Sequence, residues 1–258
     1  MTQTIRNVLL PSVALGALIL TAPAQYSTNT LIPEADTFVR FGINQNVNYG
    51  TLEYLDLFGN GTARDFFAYV RFNLSALPPE AQIMDATLRF TKVTGGTRND
   101  TLTTGRFRVL GLNDVPGNTP QNWDELTLTF DTIGAEWVSA NTYDPNRITD
   151  LDGANEMADN TTGIASIGGP ALVNFLTTRL AAGGLVTFIV DFATTEAGRG
   201  FAFGSRENSN PDARPQLTVA WIPEPAMPAL LALGAFLPAG VAPPRPLSPH
   251  RLVRFHRA

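Results

Sequence analysis

The chain has 258 residues, no cysteine and a charged fraction of only 16%, and its two histidines, His250 and His256, lie in the last nine residues. The main body therefore excludes a Cys/His zinc site, a Ser-His-Asp or Cys-His nucleophile system and a disulfide framework. The formal charge of −5 is uneven: residues 25–222 hold 13 basic and 22 acidic residues, a net of −9, which disfavours a nucleic-acid partner.

In chain order, the first element is an address. Arg6 lies in a polar start, an apolar run follows over residues 8–20, and Ala22-Pro-Ala24 closes it. Positive start, apolar middle and small-residue site predict a secretory signal peptide over 1–24, cut after Ala24. The run is short for the roughly 20 residues of a membrane span, and Pro11 interrupts it. An exported chain is free to use disulfides. This one has no cysteine, so its core must suffice without them.

Residues 25–222 read as one all-β domain. Short apolar, β-branched and aromatic runs are separated by Gly, Asn, Asp and Pro. Strands are predicted over 37–41, 52–58, 66–72, 86–93, 105–110, 126–130, 185–192, 200–203 and 216–221. The run 66–72 is continuously apolar, as a central strand would be. The runs 86–93 and 105–110 alternate, with Arg on the wet face. One helix is predicted over 171–182, with Leu172, Phe175, Leu176 and Leu180 on one face, Gly168-Gly-Pro170 before it and Gly183-Gly184 after it. It is expected to plug one edge of a sandwich. Strands do not alternate with long helices, so a parallel α/β sheet is not expected.

Between these runs lie the candidate sites. Trp123, Trp137 and Tyr143 stand in polar, loop-like contexts and are the candidates for ligand contact, since Tyr and Trp join an apolar body to a polar tip. Arg206 is a fourth, because its rigid fork matches a carboxylate or sulfate. The alternative for each aromatic is packing over the sandwich end, and for Arg206 a loop anchor with Glu207. Asp150, Asp152, Asn155 and Glu156 form part of a calcium-loop pattern around Gly153. Ile148 stands where such a loop should open, so this is not a standard EF-hand, and the alternative is a solvated acidic loop. Glu53, Asp124, Glu125 and Glu136 are carboxylates of the kind glycosidases pair, but no spacing pairs any two of them. A Tyr-based lyase has no site that singles it out.

The last element, residues 223–258, is again an address. Pro223-Glu-Pro225 leads into an apolar stretch and then Arg245, Arg251, Arg254 and Arg257. This order resembles the PEP-CTERM sorting signal of exopolysaccharide-producing Gram-negative bacteria. The resemblance implies export machinery and an exosortase-like processing enzyme as partners, transient membrane contact through the tail, and a cell-surface or extracellular-matrix location.

The body carries a second resemblance. Glu34-Ala-Asp-Thr-Phe-Val-Arg, Asn48-Tyr-Gly, Tyr69-Val-Arg-Phe-Asn-Leu-Ser, Ile83-Met-Asp-Ala-Thr-Leu-Arg-Phe, Trp123-Asp-Glu, Gly184-Leu-Val-Thr-Phe, Phe203-Gly-Ser-Arg-Glu and Arg214-Pro-Gln-Leu-Thr-Val come in this order. Together, from about residue 34 to 221, they resemble the DNRLRE domain, carbohydrate-binding module family 96. The resemblance implies a jelly-roll β-sandwich that binds acidic or other cell-wall and algal polysaccharides. The expectation is thus a non-catalytic, surface-associated binding module. A structural matrix protein without sugar affinity, and a lyase or hydrolase, are the alternatives.

Overall fold

The computed structural model describes residues 26–59, 65–94, 107–139, 142–151, 163–192 and 199–223, all within one compact unit. Its strands are β1 (Ser27–Leu31), β2 (Ala35–Arg40), β3 (Tyr54–Gly59), β4 (Phe66–Asn73), β5 (Gln82–Val93), β6 (Phe107–Leu112), β7 (Trp137–Ser139), β8 (Thr142–Tyr143), β9 (Ile148–Asp150), β10 (Ile164–Gly168), β11 (Leu185–Phe192), β12 (Arg199–Gly204) and β13 (Gln216–Ile222). Helix α1 spans Pro170–Ala181. The fold is mostly β with one short helix, and its strand pairs are antiparallel.

The main sheet curls on itself. Along its path the order is β1-β13-β5-β12-β3-β4-β11-β6-β9, with β10 added to β5 and β2 to β4. The long β5 turns the corner. Most of its length pairs with β13 and β10, and its end, Lys92 and Val93, pairs with β12. Two facing layers result, as in a β-sandwich. The main core between them takes Phe72, Phe188 and Phe90 from three strands, and Phe107 and Phe203 pack edge to face at 4.9 Å.

Sequence dictates α1 at both ends. Pro170 sits at the first helical position, where its missing N–H costs no bond. Gly183 and Gly184 take positive φ, 107° and 86°, and the Gly184 N–H closes on the Arg179 carbonyl at 2.8 Å. Leu172, Phe175, Leu176 and Leu180 are buried, the face expected from their spacing. The helix packs on β5, β10 and β11.

The structure adds a second core. Phe67, Tyr69 and Ile189 point away from the sandwich interior, yet all three are fully buried. Residues 113–139 and 142–151 fold back as a cover over this outer face. Leu110, Leu112, Trp123, Leu128 and Tyr143 join the outward residues of β4 and β11 there. This explains why 66–72 and 185–192 read as continuously apolar: both strands are covered on two sides. It also corrects the wet face assigned to Arg108. That side chain lies under the cover, with its guanidinium 2.7 Å from the fully buried Asp191 carboxylate and 5.1 Å from the Tyr143 ring.

The strand expected at 126–130 does not form. Asp124 takes the Leu126 N–H on its carboxylate at 2.8 Å, and its carbonyl takes those of Thr127 and Leu128. Local side-chain bonding of this kind outcompetes a ladder, and a 3-10 turn follows at Phe130–Thr132.

Candidate functional site

The words of the family resemblance, distant in sequence, meet at one junction. Asp36 comes from β2, Asn48 to Glu53 from the loop before β3, Glu125 from the cover, and Ser205-Arg-Glu207 from the turn after β12. Asn48 donates its amide to the carbonyls of Glu125 and Leu128, at 2.7 and 2.9 Å. Gly50 passes so close beneath that a Cβ there would stand 2.3 Å from the Glu125 carbonyl oxygen. The Glu125 carboxylate takes the Asp36 N–H at 2.8 Å, and the Asp36 carboxylate takes the Arg206 N–H at 2.8 Å. The Ser205 hydroxyl donates to the Leu52 carbonyl at 2.6 Å, and the Asn208 amide to that of Glu53 at 2.7 Å.

Arg206 is held on several sides. Its Nε lies 2.6 Å from Glu207 Oε1 and 3.3 Å from Glu125 Oε1, and its Nη1 donates to the Glu34 carbonyl. The neighbouring Glu34 carboxylate is taken up by Asn73, at 2.6 Å, and Arg71. Arg71 in turn donates to the Trp123 carbonyl and lies over the Trp123 ring, 5.1 Å from its centre. These are the contacts of a loop anchor: the Arg206 Nε is engaged by carboxylates of the same chain and its Nη1 by a carbonyl.

Asp36, Glu125 and Glu207 each offer an oxygen within 4.8 Å of the others, a grouping that can hold a metal ion. Asp36 is 1% exposed. Burial pushes its carboxyl well above the usual range, and the facing Glu207 and Glu125 carboxylates add to the rise. Glu125 is raised by burial as well. Asp36 and Glu207 were missed as site residues from sequence, where Glu125 stood only among the hydrolytic carboxylates. A signal was present: three of the motif words, Glu34-Ala-Asp, Trp123-Asp-Glu and Ser205-Arg-Glu, carry an acid beside a residue that packs.

The aromatic candidates also come together, but inside the second core. Trp123 is 4% exposed and donates its indole N–H to the Thr187 hydroxyl at 3.1 Å. Trp137 stacks on Phe67 with ring centres 4.2 Å apart, and Tyr143 meets Trp137 edge-on at 4.7 Å. Tyr143 is 9% exposed. Their faces are spent on packing, the alternative set beside ligand contact, because the polar segments around them fold over the sheet instead of projecting from it. Glu136 is fully buried and takes the Tyr69 hydroxyl at 2.8 Å and the Thr119 N–H at 3.0 Å.

Of the acidic-loop residues, Asp150 lies in β9, opposite Leu110 of β6. Asp152, Asn155 and Glu156 lie outside the described residues, as do Ala22, Ala24, Glu224 and Pro225 of the two terminal signals; Pro223 is the last described residue.

A cleft of about 580 Å³ opens between α1 and the β6–β9 side. Asn113, Asp114, Thr149, Asn174 and Thr178 bring amides, hydroxyls and one acid to its walls, around the Phe175 ring. The buried Arg179 braces it, donating to the Leu185 carbonyl at 2.9 Å with its Nη1 3.6 Å from Asp114. No sequence reading had singled out these residues.

The antiparallel body with its motif clamp defines the class, a β-module. The sequence comparison adds a likeness: residues 27–146 match the model of carbohydrate-binding module family 96. The match runs from β1 past β8, and the motif words continue beyond it into β13. No curated protein matches the chain.

Proposed function

We propose that the protein is an exported, surface-associated, non-catalytic module that holds a polysaccharide. The observation that carries this is the family match over residues 27–146. Export and surface association rest on the sequence pattern of residues 1–24 and on Pro223-Glu-Pro225 with its basic end. The jelly-roll order of the strands, and export machinery with an exosortase-like enzyme as partners, belong to the same reading. Calcium is its structural cofactor, with a seat argued below that does not depend on a sugar.

The sugar chain meets the cleft beside α1. Amide, hydroxyl and carboxylate groups lining a concave site are the chemistry that recognises sugar hydroxyls. Affinity electrophoresis against alginate, sulfated and neutral polymers tests both parts. Retardation by at least one polymer is expected, with Asn174→Ala weakening it at unchanged melting temperature. Uniform absence of retardation would sink the reading. Retardation that Asn174→Ala and Asn113→Ala both leave intact would move the ligand away from the cleft.

Burial of Trp123 and Tyr143 favours a second reading, a structural matrix protein without soluble-sugar affinity. Its mark is loss of cell aggregation on deletion while the purified chain is retarded by no polymer.

A further inference from the structure

We infer that Asp36, Glu125 and Glu207 seat a divalent cation, calcium by its ligand chemistry, that locks the cover onto the sandwich. The inference starts from two orphaned atoms. Asp36 Oδ1 and Glu207 Oε2 are both buried, and neither has a hydrogen-bond partner. Buried carboxylate oxygens without a donor are costly. Here they belong to two acids that face each other, with the third carboxylate alongside.

Charge points the same way. Three carboxylates surround one guanidinium, that of Arg206, which already donates to Glu207 and lies against Glu125. Arg71 is turned to Glu34. With all three acids ionised, as a bound cation would hold them, the group has two negative charges in excess, the complement of a divalent ion. Every ligand is a hard oxygen, which suits calcium or magnesium and not a thiolate-seeking metal. The three ligand atoms lie within 4.8 Å of one another and come from separate segments. Calcium's adaptable shell of six to eight oxygens suits such a set better than the near-ideal octahedron that magnesium demands.

The ligands come from β2, the cover and the turn before β13, so one ion would tie three segments that are remote in the chain. Glu125 is the cover's contribution, in the same turn as Trp123, whose indole would sensitise a bound lanthanide.

The full chain, stripped with EGTA, is titrated with terbium while tryptophan is excited, and its thermal unfolding is followed with and without calcium. Saturable terbium emission displaced by calcium, a calcium-dependent rise in Tm, and slower proteolysis within residues 113–151 are expected. Glu207→Gln and Glu125→Gln should each weaken terbium binding about tenfold or more, as loss of a charged ligand does. Wild-type chain with neither saturable emission nor a calcium-dependent Tm would overturn the inference, whether or not the variants fold. So would binding that both variants leave intact, which would move the ion to another seat such as the acidic segment after Asp150. None of these readouts contains a polysaccharide, so their failure is distinct from failure of the sugar-binding reading.

Discussion

At the scale of single residues, the buried charges set the pH behaviour. Burial raises the Asp191 carboxyl from its ordinary 3.8 to about 6, and the Arg108 guanidinium opposes the shift without cancelling it. An acid whose pKa is raised is preferred neutral by the fold. Its contribution to stability is complete below about pH 4 and is lost as pH rises through about 6. Asp191→Asn, neutral at every pH, should flatten the stability profile between those limits, whatever its baseline; denaturant midpoints across the range would measure it. An unchanged slope would mean that Asp191 ionises in the fold as it does in the unfolded chain. Trp123 makes a complementary case. Trp123→Ala should cost about 3–5 kcal/mol of stability, as a buried aromatic does, while polymer retardation of the folded fraction stays as in the parent. Loss of retardation at unchanged stability would return Trp123 to the binding surface. The polar neighbours of Trp123 and Trp137 are legible as loop, but the fold-back of that loop depends on contacts with Phe67, Tyr69 and Thr187, which no local pattern announces.

At the scale of elements, what was legible follows periodicity. The long central strands and α1 announce themselves because their own side chains supply both pattern and punctuation. The strand expected at 126–130 failed because alternation there competes with Asp124, whose bonds close a turn. The strand β1 escaped notice because Ser-Thr-Asn-Thr-Leu carries little apolar signal; it exists through its pairing with β13. Helix α1 closes the sandwich over β5, so Leu176→Ala, at a fully buried position, should destabilise by about 2–5 kcal/mol. A shift in the urea midpoint checks this. A negligible shift would mean that the helix docks too weakly to brace the cleft it borders.

At the scale of the whole molecule, the body replaces disulfides with a doubled core. The central pair β4 and β11 is sealed by the facing layer on one side and by the cover on the other. The family clamp stands where layer and cover meet, which is why its words are spread from Glu34 to Glu207. Their order could be read from sequence. Their convergence could not, because it is a property of the fold.

The pairing of β1 with β13 has a mechanical consequence. The two strands are antiparallel, and Ser27 lies opposite Trp221, so both ends of the β-body leave from the same end of one ladder. Tension applied between those ends would open the ladder as a zipper, loading its hydrogen bonds one after another, where strands pulled from opposite ends would share the load in shear. Tension between the C-terminal end and a ligand held beside α1 would bypass β1 and run through β13 and its long ladder with β5. A module tethered by its C-terminal end would therefore resist pull on its ligand better than pull on its own two ends.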